Sequence, residues 1–346
     1  MKTFEQFENK LSSIPLTTSW YLADLGEARG RQELFTKQSP QKLKILREHA
    51  LIESAISSNR IEGVEIDRNR INAVVLGQSR LRDGDEEEVR GYRDALKTIH
   101  EKGAKLKLDE KTILRLHYLS RAKTGDAGKY KERDSDIIEK YADGRSRVRF
   151  KTVKAKDAPD VLNELIDAWL PCLKERWVHP LIALAAFNLD FLCIHPFRDG
   201  NGRVSRLLFL LCCYHLGYEV GRYISLERLI EENKERYYEV LELSSVGWHE
   251  GKHDPWALIN FMLYILKQAY TEFERRAGEI ASPHGSKTEL VMSAIESMDE
   301  EFSLTDLERK VPSVNRDLVR SVLKKLRADE MIKPLGRGPN TKWQKK

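Results

Sequence analysis

His195-Pro196-Phe197-Arg198-Asp199-Gly200-Asn201-Gly202-Arg203-Val204-Ser205-Arg206 is the stretch around which this 346-residue chain is organised. An apolar segment, Leu181 to Ile194, leads into it, and another, Leu207 to Leu216, leads out. Both have helical length and neither alternates as a strand would. The stretch therefore reads as a tight turn between two buried helices. Gly200 and Gly202 let the backbone bend sharply and lie close to a ligand. A helix starting near Asn201 aims its first free N–H groups into the turn, an arrangement that binds phosphate. Arg203 and Arg206, three apart, share one face beside that anion hole, and the planar guanidinium makes paired charge-assisted bonds to phosphate. Asp199 offers Mg²⁺ a hard oxygen ligand. His195 is the side chain here whose ordinary pKa suits a general base near neutral pH. Together these parts describe phosphoryl-type transfer from a Mg²⁺-nucleotide. A single His-Pro or Gly-Asn-Gly is an ordinary turn; all of these features in twelve contiguous residues are not explained by packing.

The stretch resembles the signature of the Fic family, His-Pro-Phe-x-Asp/Glu-Gly-Asn-Gly-Arg-x-x-Arg, at every fixed position. The resemblance implies a mainly helical, all-α core with a small β-hairpin flap, and transfer of AMP from Mg²⁺-ATP to a Ser, Thr or Tyr hydroxyl of a protein. His195 then corresponds to the catalytic base and Asp199 to the Mg²⁺ ligand. Gly200, Asn201 and Gly202 correspond to the anion hole for the α- and β-phosphates, Arg203 to the β-phosphate contact and Arg206 to the γ-phosphate contact. Phe197 would be buried, holding the loop on the core. Members that transfer the γ-phosphate carry Lys at the position of Gly202, so the glycine favours AMP transfer.

A second stretch, Ser57-Ser58-Asn59-Arg60-Ile61-Glu62-Gly63, lies far upstream. Ser58 and Glu62 are four apart and share a helical face, and Gly63 is placed to stop the helix. A Gly-terminated surface helix is the plain alternative. The stretch resembles the Fic inhibitory motif, Ser/Thr-x-x-x-Glu-Gly/Asn. That resemblance implies that Glu62 pairs with Arg206 where the γ-phosphate should bind, so that ATP sits with its phosphates misplaced.

Composition agrees with a soluble helical protein of two or three domains. Net charge is only +5, so the whole chain is not a polycation. Cys172, Cys193, Cys212 and Cys213 lie in apolar stretches without metal-ligand spacing and read as reduced core thiols of a cytoplasmic protein. The start of the sequence lacks a basic-then-apolar signal, and no apolar run is long enough to span a bilayer.

The N-terminal region, 1–108, is expected to wrap the core. Residues 1–39 read as short helices and loops, Pro40 to Ile56 as an amphipathic helix, and 64–77 as helix or turn. Asp85 to Val89 opens a helix with acids at its positive end, which explains the acidic run better than a metal site does. The Fic domain with its closing helix is expected over 109–281. Asp109 caps a helix carrying His117, which reads as a satisfied rather than catalytic histidine. Ile137, Ile138 and Tyr141 lead to Asp143-Gly144, and Val148, Phe150 and Val153 follow, a hairpin signal. It resembles the Fic flap, whose edge would hold a target segment by strand addition. Tyr237, Tyr238 and Leu241 resemble the adenine pocket; Tyr238 and Leu241 are the assigned base contacts, and Tyr237 reads equally well as core.

Ser282-Pro283-His284-Gly285 reads as a linker. Residues 284–346 then follow the order of a winged helix-turn-helix: a helix over 288–298, a second over 304–310, a third over 315–328, and extended segments around Gly336 and Gly338. From Arg309 onward there are twelve Lys/Arg and three Asp/Glu, a balance of +9. Such a unit binds DNA phosphates or, alternatively, recruits protein or mediates self-association. The reading is thus a protein adenylyltransferase with ATP as substrate, Mg²⁺, a hydroxyl-bearing protein target or itself, and inhibition by Glu62. The alternatives are a nucleotide-sensing DNA-binding regulator and removal of AMP from targets. A homodimer is compatible with this reading, and no membrane is involved.

Overall fold

In the computed structural model the two apolar runs flanking the His195 turn are both helices, and further helices pack around them. The structure describes residues 1–9, 13–36, 40–77, 80–122, 124–140, 144–175, 178–280, 286–296, 298, 301–311, 314–336 and 341–345. In chain order the helices are α1 (Lys2–Asn9), α2 (Leu16–Thr36), α3 (Pro40–Ile61), α4 (Ile71–Val75), α5 (Gly84–Lys102), α6 (Glu110–Ser120), α7 (Ala158–Glu175), α8 (Pro180–Ile194), α9 (Asn201–His215), α10 (Leu226–Glu232), α11 (Lys234–Ser245) and α12 (Trp256–Ile280). A hairpin of β1 (Ile137–Lys140) and β2 (Ser146–Phe150) interrupts them. The chain divides into two compact units, residues 1–37 with 46–274 and residues 38–45 with 275–346. Residues on both sides of position 108 thus share the first unit.

Burial explains why α8 carries no hydrophobic stripe. From Leu181 to Ile194 only Leu192 escapes full burial, as expected of a helix surrounded by others. The polar Asn188 is accommodated because its Nδ2 donates to the Ser205 carbonyl at 2.9 Å, tying α8 to α9. Helices α5 and α6 pack so closely that a Cβ on Gly91 would fall 2.1 Å from the Leu119 carbonyl oxygen; only glycine fits there. Helix α6 is capped by Asp109, which accepts from the Thr112 N–H.

The first 39 residues differ from the expected short helices: α2 runs for 21 residues. Its buried Leu25 and Ala28 are flanked by exposed Leu16, Trp20 and Leu34. The apolar residues lie all around the helix, so no periodic stripe marks it in the sequence. The helix expected over residues 40–56 continues to Ile61 and ends at Gly63, whose φ is +84°. The hairpin pairs antiparallel with Ile138 opposite Val148. Gly144 has φ +84°, while Tyr141 and Asp143 lie outside the described residues, as does the linker 282–285.

The second unit has helix α13 (Ser286–Glu296), strand β3 (Glu301–Ser303), α14 (Leu304–Lys310), α15 (Arg316–Ala328), β4 (Ile332–Pro334) and β5 (Lys342–Lys345). The strands form a sheet in the order β3-β5-β4. Ser303 and Asp306 form a reciprocal capping box on α14, and Asn315 caps α15, which fixes both helix starts. Val319, Val322, Leu323 and Leu326 of α15 enter the unit's core, with Leu318 partly buried beside them. Gly338 of the expected wing lies outside the described residues. No helix among the described residues is long and apolar enough to cross a membrane.

Candidate active site

The loop is held from beneath before it offers anything to a ligand. Phe197 is fully buried and its ring stacks on His117, centroids 3.8 Å apart. The Phe197 N–H donates to Asn201 Oδ1 at 3.0 Å, and Asn201 Nδ2 donates back to the Phe197 carbonyl at 2.8 Å. The Asn201 side chain is therefore committed to closing the turn; its backbone N–H remains at the helix start. His117 Nδ1 accepts from the Gly128 N–H, so its proton sits on Nε2, which donates to the Asp199 carbonyl at 3.0 Å. Burial pushes the His117 pKa down to about 4. It is the satisfied histidine expected, and it supports the loop.

Gly200, at φ +81°, is the residue from which α9 starts, and no side chain caps that start. Unclaimed N–H groups and the positive end of the helix dipole therefore meet at Gly202. A Cβ on Gly202 would lie 2.3 Å from Glu62 Oε1. The glycine thus leaves the volume in which the Glu62 carboxylate sits.

His195 ends α8 with a left-handed backbone, φ +53°, an uncommon conformation for a non-glycine residue. Its Nδ1 lies 3.3 Å from the Leu192 carbonyl. A carbonyl only accepts, so Nδ1 carries the proton and Nε2 keeps its lone pair. Burial first, then the positive charge of Lys131, pushes the imidazole pKa down to about 4. The ring is neutral at physiological pH, the form a base needs.

The two arginines of α9 are both buried but differently engaged. Arg203 Nη1 donates to a carboxylate oxygen of Glu88 and reaches Asn59 Oδ1 at 3.3 Å. Glu88 also accepts from Arg121 at 2.6 Å, and Arg121 pairs with Asp199 at 2.9 Å. Arg206 donates from Nε to Ser58 Oγ at 2.9 Å, and from Nη2 to the Ser58 carbonyl at 2.9 Å and to Glu62 Oε1 at 2.8 Å. Its Nη1 is buried and has no hydrogen-bond partner.

A cavity of about 320 Å³ joins several of these groups: it is lined by Glu62, His195, Gly202, Arg206, Tyr238 and Leu241, together with Ile138 and Arg149 of the hairpin. Tyr238 also donates its hydroxyl to the Ile61 carbonyl at 3.2 Å, near the end of the Ser57–Gly63 stretch. Tyr237 is 2% exposed and packs toward Phe261. Asp199, Asn201 and Arg203 do not line this cavity. Asp199 instead borders a separate groove of about 800 Å³ with Arg121, Lys131 and Arg198. Sequence reasoning missed Glu88, Arg121, Asn59 and Lys131. Glu88 stood in an acidic run explained by the helix dipole, and nothing local pointed to Arg203, 115 residues away.

Among the described residues no three His, Cys, Asp or Glu side chains converge as a metal cage. Magnesium does not require one: it is commonly held by one or two carboxylates together with substrate phosphates. Asp199, whose side chain is 56% exposed, fits that role as a single protein ligand.

Residues 107–213 match the model of the Fic/DOC family. The chain is 27% identical over 205 residues to a protein adenylyltransferase Fic of Nematostella vectensis, covering 55% of this chain and 42% of that protein. It is 26% identical over 130 residues to protein adenylyltransferase fic-1 of Caenorhabditis elegans, covering 38% and 22%. The chain thus spans less than half the length of these relatives. Its fold is similar to a Fic family protein from Desulfovibrio desulfuricans G20, TM-score 0.61 at 24% identity, covering 96% of this chain and 97% of that one. It is also similar to Fic-1 of C. elegans, TM-score 0.57 at 19% identity, covering 77% and 74%. Residues 107–213, which contain α8, the His195–Gly202 turn and nearly all of α9, are a Fic domain, and the helical fold around them is the Fic fold.

Proposed function

We propose that the chain transfers AMP from ATP to a hydroxyl of a protein, and that Glu62 holds this activity down. The observation that carries the reading is the cavity in which a neutral His195, an uncapped helix start at Gly202 and the unpartnered Nη1 of Arg206 come together. His195 Nε2 takes the proton of the incoming hydroxyl. The freed oxygen attacks the α-phosphorus, the bond from that phosphorus to the bridging oxygen breaks, and pyrophosphate leaves. The N–H groups of α9 and the Arg206 guanidinium hold the anionic phosphates. Asp199 would hold magnesium, which when bound would supply positive charge for the leaving group. The exposed Ile138 and the paired strands of the hairpin offer an edge for the target segment.

Glu62 occupies one of Arg206's donors and lies against Gly202, where phosphate oxygens would need to be. Two anions cannot share that position, so the carboxylate must leave before a triphosphate is fully seated. Transfer of radiolabelled AMP by full-length protein tests the reading. His195→Ala should abolish labelling; equal labelling by wild type and variant would overturn the assignment of the base.

A second reading concerns the C-terminal unit. Arg316, Arg320, Lys324 and Arg327 of α15 are exposed, while Val319, Val322, Leu323 and Leu326 are buried. We propose that this basic face binds duplex DNA through its phosphates, as the third helix of a winged helix does. Affinity of the full chain should then fall steeply with salt, and Arg320→Glu with Lys324→Glu should flatten the slope by about two charges' worth. Salt-independent retention would refute it.

A further inference from the structure

We propose that Lys131 is a positioning residue for the transfer set out above, on whose reading this inference rests: it grips the residues on both sides of His195 and ties that grip to the base of the hairpin. The Lys131 backbone N–H donates to the Pro196 carbonyl at 3.0 Å. Its ammonium reaches the Ile194 carbonyl at 3.5 Å. The residues immediately before and after His195 are thus bonded to one side chain and its own backbone. The same ammonium donates to Thr152 Oγ1 at 2.6 Å, and the Thr152 hydroxyl in turn donates a hydrogen bond to the Ser135 carbonyl at 2.7 Å. Ser135 lies just before β1 and Thr152 just after β2. Lys131 therefore joins the foot of the hairpin, which faces the cavity, to the turn that presents the imidazole.

The arrangement is costly unless it does something. Lys131 is only 4% exposed, and the hydrogen bonds of its ammonium go to a hydroxyl and a carbonyl, both neutral. A buried cation without a bonded carboxylate is unfavourable, and burial pushes its pKa down to about 8 against the pull of Asp134 and Asp136. It keeps its charge at neutral pH. The charged groups acting on His195 are Lys131, Glu62 and Asp199, and Arg206, Arg149 and Glu242 share its cavity. Of these, Lys131 is the one bonded to both neighbours of His195. Its charge opposes protonation of the resting imidazole, and its bonds fix where Nε2 stands relative to the hairpin edge. A target strand held by that edge and the base that deprotonates it then form one rigid set, the geometric condition for in-line attack.

The test uses the full chain with Lys131→Met, Thr152→Val and the double variant. AMP-transfer rate, ATP affinity, thermal midpoint and the NMR titration of the His195 imidazole are read for each. Lys131→Met should slow transfer by about tenfold or more with ATP affinity within about threefold. It should also raise the His195 midpoint from about 4 by about one pH unit. The double variant should be no slower than Lys131→Met, because both substitutions cut one chain of contacts. If Lys131→Met melts too low to assay, Thr152→Val keeps the ammonium and carries the test as a rate loss at unchanged thermal midpoint. An unmoved imidazole titration, or rate losses that multiply in the double variant, would overturn the proposal. A wild type that forms no AMP adduct would instead refute the transfer reading, while the imidazole titration would still decide the place of Lys131.

Discussion

The Glu88–Arg203 edge of the site and the Glu62–Arg206 edge use the same pair of residue types on the same face of α9, one turn apart. They are built for different ends. Glu88 lies within α5, its side chain 13% exposed, and binds both Arg203 and Arg121, which reaches on to Asp199. Each member of that set fixes another. Glu62 stands one residue beyond the end of α3, next to Gly63 at φ +84°, with its side chain 27% exposed. Its partner Arg206 retains an unpaired Nη1. On the proposed reading the first edge is a joint and the second a latch. The difference lies in where the acid is anchored rather than in the arginines.

Stability separates the two most strongly. Glu88→Ala leaves the buried Arg203 without its hydrogen-bonded carboxylate, with Asp199 3.9 Å away, and should cost about 3–5 kcal/mol in urea unfolding. Glu62 is partly exposed, and its arginine keeps two bonds to Ser58; Glu62→Ala should cost about 1 kcal/mol or less. Comparable losses for the two would erase the distinction between joint and latch.

Acid probes both edges at once, since His117 supports the loop on the joint side and His195 faces the cavity. Burial holds their pKa values at about 4, with His253 at about 4 and His100 at about 3. In the unfolded chain these groups take protons near the ordinary histidine value of about 6.5. Between about 6.5 and 4 the unfolded state therefore binds more protons, so stability is full above that window and is lost as pH falls through it. Asp190 acts oppositely: burial raises its carboxyl to about 6, and its contribution is lost as pH rises toward that value. The unfolding midpoint in urea should drop on acidification from pH 7 to 4.5, and His117→Gln should weaken that dependence. A flat profile over this range would contradict the burial of these rings.

A smaller effect concerns the space beside the latch. Gly202→Ala places a methyl against the Glu62 carboxylate, whose flexible end can give way. Stability should change by about 1 kcal/mol or less, while AMP transfer should rise modestly if the methyl dislodges Glu62 more than it obstructs phosphate. Transfer lost together with ATP affinity would mean that the glycine serves the phosphates first.

The turn and its two helices were legible because their determinants are contiguous: apolar runs, two glycines, and Arg203 and Arg206 at helical spacing. The Glu62–Arg206 pair spans 144 residues, and the residues alone showed only that Ser58 and Glu62 share a face; the family resemblance supplied the partner. Glu88, Arg121 and Lys131 were not legible by either route, since each owes its place to packing between elements far apart in sequence. Helix α2 escaped because a helix with apolar residues all around leaves no period to detect. Asn201 shows the same limit at the scale of one side chain: its place at the start of the helix after the turn was readable, but not that its amide is spent on the Phe197 backbone.

The most direct test of the latch compares intact masses of full-length wild type and Glu62→Gly after identical incubation with ATP and Mg²⁺, alone and with a candidate target protein. Release of Arg206 should increase the AMP adduct by about tenfold or more over wild type. An adduct equal in the two proteins, or absent from both, would contradict the account.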